Sequence, residues 1–264
     1  MTISQILAAK QSKKKLSAVT CYDSAFARLI DKTAVDIVLV GDSLGNVMLG
    51  HDGTVAVTMA DMVHHTAAVS RVLRRPFLCA DMPFLSYQIS LEQALSNAAR
   101  LVQDGGAQGV KVEGGRAICP QVKAIVQAGI PVMGHLGLTP QSVHALGGYR
   151  VQGRGSDAAQ RMIDDAHALQ DAGIFALVLE MVPEALAERI SAALHIPTIG
   201  IGAGAKCDGQ ILVLHDILGF DSGFSPKFLK KYANLGDTVQ QALEAYDRDV
   251  KGGTYPGPEH SFKE

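Results

Sequence analysis

The sequence predicts an α/β fold, an eight-stranded β/α barrel, and three observations carry that prediction. Short runs of Val, Ile and Leu bounded by Gly or Pro recur along the 264 residues, with helix-like segments between them. Three of these runs end on an acid: Asp36-Ile-Val-Leu-Val-Gly-Asp42, Pro76-Phe-Leu-Cys-Ala-Asp81 and Gly109-Val-Lys-Val-Glu113. In a closed parallel barrel the C-terminal strand ends surround one opening, so acids ending several strands converge on one pocket. The rival architecture, a doubly wound open sheet, announces itself with a Gly-rich turn after the first strand. Here Tyr22-Asp23-Ser24 occupies that place, and the Gly-rich Ile199-Gly-Ile-Gly-Ala-Gly204 comes only after the seventh strand.

Taken in order, the chain opens with a helix over about residues 2–11. Strands are expected at 16–21, 37–40, 77–80, 110–112, 132–134, 176–179 and 198–201. Residues 60–73 and 91–102 repeat apolar side chains with the helical period of 3.6. Ser90 starts the second of these helices, because its hydroxyl can accept a first-turn N–H and Gln93 stands at capping-box spacing. Gly105-Gly106, Gly129 and Gly173 mark helix stops, where a left-handed residue closes the last turn. The eighth unit is ambiguous: residues 210–215 read as a strand or as the start of a helix running to 219.

Composition bounds the function. The chain is 47% hydrophobic and 19% charged, with a net charge of -2. That is an ordinary globular composition, and one barrel domain over residues 1–264 accommodates it. The charge balance gives no electrostatic case for nucleic acid or an anionic membrane surface, so a small ligand is expected. No apolar run reaches the length of a membrane helix, and no secretory leader pattern stands at the N-terminus. Cys21, Cys79, Cys119 and Cys207 are scattered without a Cys-x-x-Cys pair, as expected of thiols in a reducing cytoplasm.

The strand-end residues suggest chemistry. Asp42, Asp81 and Glu113, without Cys or His companions at ligand spacing, favour a hard cation such as Mg²⁺, held directly or through water. A 2-oxo acid chelated there would be acidified beside its carbonyl. Lys111 and Glu113 point the same way by strand alternation, and a buried lysine requires an anionic partner. Glu180, ending its run, is a candidate base; His135, ending the fifth strand, could donate to a developing oxyanion.

Each residue also has a plainer reading. An acid at a strand end can be a cap or a salt-bridge partner. Lys111 could be a structural ion pair, His135 a hydrogen-bonded core histidine and Glu180 an outer residue. Ser43 could cap the next segment or touch substrate. The glycines of 200–204 could serve only close packing. His64 and His65 fall on a predicted helix and His51 in a loop, with no metal assigned to any of them.

Several motifs, in order and spanning nearly the whole chain, resemble one family. They are Val40-Gly-Asp-Ser-Leu-Gly45, Lys111-Val-Glu-Gly-Gly115, Gly134-His-Leu-Gly-Leu-Thr-Pro-Gln141, Gly147-Gly-Tyr-Arg-Val-Gln-Gly153, Ile199-Gly-Ile-Gly-Ala-Gly204 and Asp208-Gly-Gln-Ile-Leu-Val213, continuing into Pro226-Lys-Phe228 and the 255–262 tail. Together they are similar to ketopantoate hydroxymethyltransferases of pantothenate synthesis. The resemblance implies a (β/α)8 TIM barrel of the phosphoenolpyruvate/pyruvate type in a homodecamer. It implies transfer of a hydroxymethyl group from 5,10-methylenetetrahydrofolate to 2-oxoisovalerate: metal-assisted enolisation, attack on the methylene-iminium form of the folate, and hydrolytic release. It matches Asp42, Asp81 and Glu113 to metal-site acids, Asp42, Ser43, Asp81 and Lys111 to oxo-acid contacts, and Glu180 to the proton acceptor. It assigns no residue to the folate. Two rivals are a lyase or mutase of small oxo acids, which requires a catalytic thiol on a mobile loop, and a non-catalytic binding subunit.

Overall fold

Eight parallel strands pair in chain order and close, β1 to β8, into a barrel. The computed structural model describes residues 1–220, 223 and 225–263. The strands are β1 (Leu16–Thr20), β2 (Ile37–Val40), β3 (Phe77–Asp81), β4 (Gly109–Glu113), β5 (Val132–Gly137), β6 (Ala176–Glu180), β7 (Thr198–Ile201) and β8 (Gly209–Leu212). The helices in the same stretch are α1 (Ile3–Gln11), α2 (Ser24–Ile30), α3 (Leu44–Val47), α4 (Met59–Ser70), α5 (Leu91–Gln103), α6 (Cys119–Gln127), α7 (Ser156–Ala172) and α8 (Glu184–Ala193). The ambiguous eighth unit contains both elements, because β8 ends at Leu212 and α9 (Leu214–Leu218) follows at once.

By contacts the chain forms two compact units, Met1–Val213 and Leu214–Glu264. The first holds the whole barrel. The second comprises α9 and α10 (Leu235–Gly252), the latter with Val239, Leu243, Tyr246 and Val250 at helical spacing. Among the described residues no helix is long and apolar enough to cross a membrane.

Side-chain caps start two of these helices, the first at the expected Ser90 and the second at Thr58, which the sequence reading did not single out. Ser90 accepts the N–H of Gln93 at the head of α5, and Thr58 and Asp61 form a reciprocal capping box at the head of α4. Apolar packing then polarises the barrel. Ile6 and Ala9 of α1 share a core cluster with Leu16, Ile37, Phe77 and Phe175 at the starts of strands, with the two Phe rings 5.2 Å apart edge to face. This apolar plug fills the N-terminal end. The polar residues of the barrel interior are therefore left to the opposite end, where the strands stop.

Candidate active site

Strand register assembles the site. Asp81 is paired with Lys111 across β3 and β4, Glu113 with His135 across β4 and β5, and Gly137 with Glu180 across β5 and β6. Asp81 and Glu113 thus each face a base on the next strand, and Glu180 lies diagonally across from His135. Lys111 Nζ donates to Asp81 Oδ1 at 2.7 Å and lies 3.7 Å from Glu113 Oε1. The ring of His135 lies between two carboxylates, Nδ1 3.3 Å from Glu113 Oε1 and Nε2 3.4 Å from Glu180 Oε2. Neither approach is aligned well enough for a hydrogen bond, so the attraction is ionic rather than directional. Asp42, two residues beyond β2, joins from the other side, its backbone N–H donating to Asp81 Oδ2 at 3.0 Å.

Asp42, Asp81, Lys111, Glu113 and His135 are each no more than 5% exposed, whereas the Glu180 side chain keeps 16% of its surface. Electrostatics follow from that burial. Desolvation and the charges of Asp81 and Glu113 push the Asp42 carboxyl well above the usual carboxylate range, against the pull of Lys111 and Gln141. Burial also opposes ionisation of Glu113, but His135, Lys111 and the Gln141 N–H outweigh it and hold its carboxyl below its ordinary value. For His135, burial and Lys111 disfavour the cation; Glu113 and Glu180 prevail and raise it to about 9. The ring is an imidazolium at neutral pH.

Ser43 begins α3, but its side chain caps nothing; the hydroxyl instead bonds Tyr22 Oη at 2.8 Å. That removes the capping reading of Ser43. Of the other histidines, His65 on α4 holds the Tyr22 carbonyl through Nδ1 at 2.7 Å, His64 is exposed, and His51 lies in the loop after α3. Gly137 is required where it stands: its φ is +96°, and a Cβ there would lie 2.1 Å from the Glu180 carbonyl oxygen.

Two side chains bonded to the acids escaped sequence reasoning. Gln141, in the 3-10 turn Pro140–Ser142 after β5, donates through Nε2 to Asp42 Oδ2 at 2.8 Å and to the Met82 carbonyl at 2.9 Å; its N–H donates to Glu113 Oε2 at 3.1 Å. Tyr87 Oη accepts the Glu113 N–H at 2.9 Å and shares its proton between the Glu113 carbonyl and Gln141 Oε1. Both are buried polar side chains, and the Thr-Pro-Gln turn directly after the His135 strand was the available signal.

Three buried carboxyl groups crowd around one lysine and one imidazolium, and the upward push on Asp42 marks a third buried negative charge that these cations leave poorly compensated, a set of hard oxygen donors that suits a divalent cation. Among the described residues, no three His, Cys, Asp or Glu side chains gather their donor atoms into a cage. Asp42, Asp81 and Glu113 can still serve, because a carboxylate oxygen already accepting one hydrogen bond retains a lone pair. Mg²⁺ characteristically takes one or two protein carboxylates and fills its remaining positions with water and substrate oxygens.

The thiol chemistry of the lyase reading has no support here. Burial pushes Cys21 up to about 11 and raises Cys79, Cys119 and Cys207 as well, so none is poised as a thiolate.

The chain matches the family model described as "Ketopantoate hydroxymethyltransferase" over residues 1–258. The 3-methyl-2-oxobutanoate hydroxymethyltransferase of Moorella thermoacetica is 55% identical over 263 residues, covering 100% of this chain and 98% of that protein. Its counterpart in Syntrophobacter fumaroxidans is 52% identical over 262 residues, 99% of this chain and 93% of that protein. Among solved structures, a 2,3-dimethylmalate lyase of the PEP mutase/isocitrate lyase superfamily superimposes with a TM-score of 0.62, covering 98% of this chain and 93% of that one; at 16% identity the likeness is one of fold. On the full-length match, the chain belongs to the ketopantoate hydroxymethyltransferase family.

Proposed function

We propose that this chain is a 3-methyl-2-oxobutanoate hydroxymethyltransferase that takes its one-carbon unit from 5,10-methylenetetrahydrofolate. The observation that carries the reading is the continuous charge ladder Asp81, Lys111, Glu113, His135, Glu180 across four adjacent strands, in a chain of this family. The net exchange replaces the C3–H bond of the oxo acid by C3–CH2OH. Water supplies the hydroxyl oxygen and returns its two protons to the folate nitrogens, while the C3 proton is restored on the new hydroxyl.

The residues divide this work. Asp42, Asp81 and Glu113 would hold Mg²⁺, directly or through water. The cation, when bound, supplies positive charge that draws electrons from the oxo-acid carbonyl. Lys111, charged and fixed against Asp81, offers its remaining N–H donors to the substrate carboxylate, beside Asp42 and Ser43. Glu180, the one carboxylate of the ladder with appreciable exposure, receives the C3 proton. His135 holds the Glu180 carboxylate in place by its charge and offsets negative charge that develops as the proton leaves. Gln141 and Tyr87 lock Asp42 and Glu113 in orientation. A homodecameric, cytoplasmic enzyme of pantothenate synthesis belongs to the same proposal, on family membership.

Proton NMR in D2O tests it, with 3-methyl-2-oxobutanoate, Mg²⁺ and methylenetetrahydrofolate, and an EDTA control. Hydroxymethyl signals of ketopantoate that appear without EDTA and vanish with it are the expected result. Folded protein giving neither product nor C3–H exchange would return the reading to a lyase or a binding subunit.

A further inference from the structure

Beside the acid ladder lies a cleft of ≈ 880 Å³ between two loops, one following α3 and the other following the Gln141 turn. Both walls grow out of site residues. The first continues the segment of Asp42 and Ser43 and is tied to α3 by bonds from His51 N–H to the Gly45 carbonyl and from Asn46 Nδ2 to the His51 carbonyl. The second begins two residues after Gln141.

The lining is unusual in two respects. Gly50, Gly53, Gly147 and Gly148 all border the cleft, and a Cβ built on any of them would meet nothing within 4 Å. Bare backbone therefore faces open space on both walls. The side chains around it are Val55, Ala56 and Val143, the rings of His51, His144 and Tyr149, and the carboxyl group of Asp52, a mixture of apolar surface, hydrogen-bonding aromatic edges and one acid. Among the described residues the lining includes no Lys or Arg. The phenol of Tyr149 is pushed up by burial and then by the charges of Glu180, Asp42 and Glu113, which places it within electrostatic reach of the ladder.

We propose that this cleft binds the bicyclic, uncharged pterin end of the one-carbon donor, stacked on the bare glycine walls and read by His51, His144 and Tyr149. The assignment rests on the function proposed above, which demands a second substrate beside the oxo acid. The five-carbon oxo acid occupies only the ladder, whereas a pterin with its aminobenzoyl group needs several hundred Å³, within the roughly 300–1,000 Å³ of small-molecule pockets. A lining that carries the carboxyl group of Asp52 and no Lys or Arg suits the ring and not the carboxylate tail, which is expected to extend toward solvent. A donor seated here presents its methylene at the edge of the ladder, where C3 of the oxo acid is deprotonated.

Gly53→Val is the discriminating variant. Gly53 lacks a positive φ and has free space around its Cβ, so the substitution fills the cleft without straining the backbone. Three readings are taken on wild type and variant: KM for methylenetetrahydrofolate, KM for 3-methyl-2-oxobutanoate, and C3–H exchange in D2O without folate. The expected result is a donor KM raised ~10-fold or more, with the other two within about 2-fold. Calorimetry with tetrahydrofolate should show binding to wild type that is lost in Gly53→Val and weakened in His144→Ala. Unchanged donor KM and tetrahydrofolate binding in folded Gly53→Val, or no tetrahydrofolate binding to wild type, overturns the cleft assignment. Wild type that neither exchanges C3–H nor makes ketopantoate instead overturns the function, so the two failures are distinguishable.

Discussion

Lys111 is the residue on which the site's electrostatics turn. Its Nζ is buried, 2.7 Å from Asp81 and 3.7 Å from Glu113, and these carboxylates with Asp42 outweigh the desolvation that would otherwise neutralise it. Asp81 therefore has a structural duty beside any metal duty. Asp81→Ala leaves Lys111 with only the longer contact and removes the acceptor of the Asp42 N–H; a loss of about 3–5 kcal/mol in urea unfolding is expected. Asp81→Asn keeps an acceptor for one of the two donors and sets its NH2 against the other, so it should unfold between Asp81→Ala and wild type. Turnover should be lost in both. If Asp81→Asn retains near-normal activity at saturating Mg²⁺, Asp81 does not belong to the metal set. Glu180 poses a different test, because its side chain meets the ladder through the 3.4 Å contact with His135. Glu180→Gln should slow C3–H exchange by about 100-fold or more with oxo-acid affinity retained, and unchanged exchange would exclude it as the base.

Elements deliver these residues, and the ends of elements do most of the positioning. Asp31, the C-cap of α2, accepts the N–H groups of Arg74 and Arg75 at 2.7 and 2.8 Å and so ties α2 to the turn entering β3, the strand that carries Asp81. Slight burial opposes its ionisation, but the two N–H groups and the arginine charges hold its carboxyl below the usual range. A depressed folded pKa contributes stability that is present above the unfolded value, near 3.9, and lost as pH falls through the folded one. Asp31→Ala should therefore cost at most about 1 kcal/mol at pH 7, the site being largely open to solvent, and less below pH 3. Equal cost at both pH values, read by urea unfolding, would remove the ionic contribution. At this scale the pattern of the chain was readable: seven strands and the helices at 60–73 and 91–102 lie within a few residues of their expected places, because apolar period and cap chemistry are local. The eighth unit was not, since a run of Ile, Leu and Val suits strand and helix alike until β8 finds β1 and β7 as partners.

For the whole molecule, the decisive asymmetry is an apolar plug at one end of the barrel and an acid-rich ladder at the other. Ionising Asp42 beside Asp81 and Glu113 is a cost to folding that a divalent cation would relieve. Mg²⁺ is accordingly expected to raise the unfolding midpoint, by an amount equivalent to about 2.7 kcal/mol at 100 times its dissociation constant. EDTA should reverse the shift and Asp42→Asn should abolish it. A midpoint insensitive to Mg²⁺ in differential scanning calorimetry would separate the ladder from metal binding.

What the amino-acid order by itself determined is the barrel, the convergence of Asp42, Asp81 and Glu113, and the shared face of Lys111 and Glu113. These follow from strand period and from where strands end, both legible over a few neighbouring residues. Only the tertiary structure decided who partners whom. Gln141 reaches Asp42 across 99 positions, Tyr87 reaches Glu113 across 26, and His135 is charged because register sets it between Glu113 and Glu180. Pairings of that kind depend on barrel closure and strand stagger, which are global quantities no local window contains.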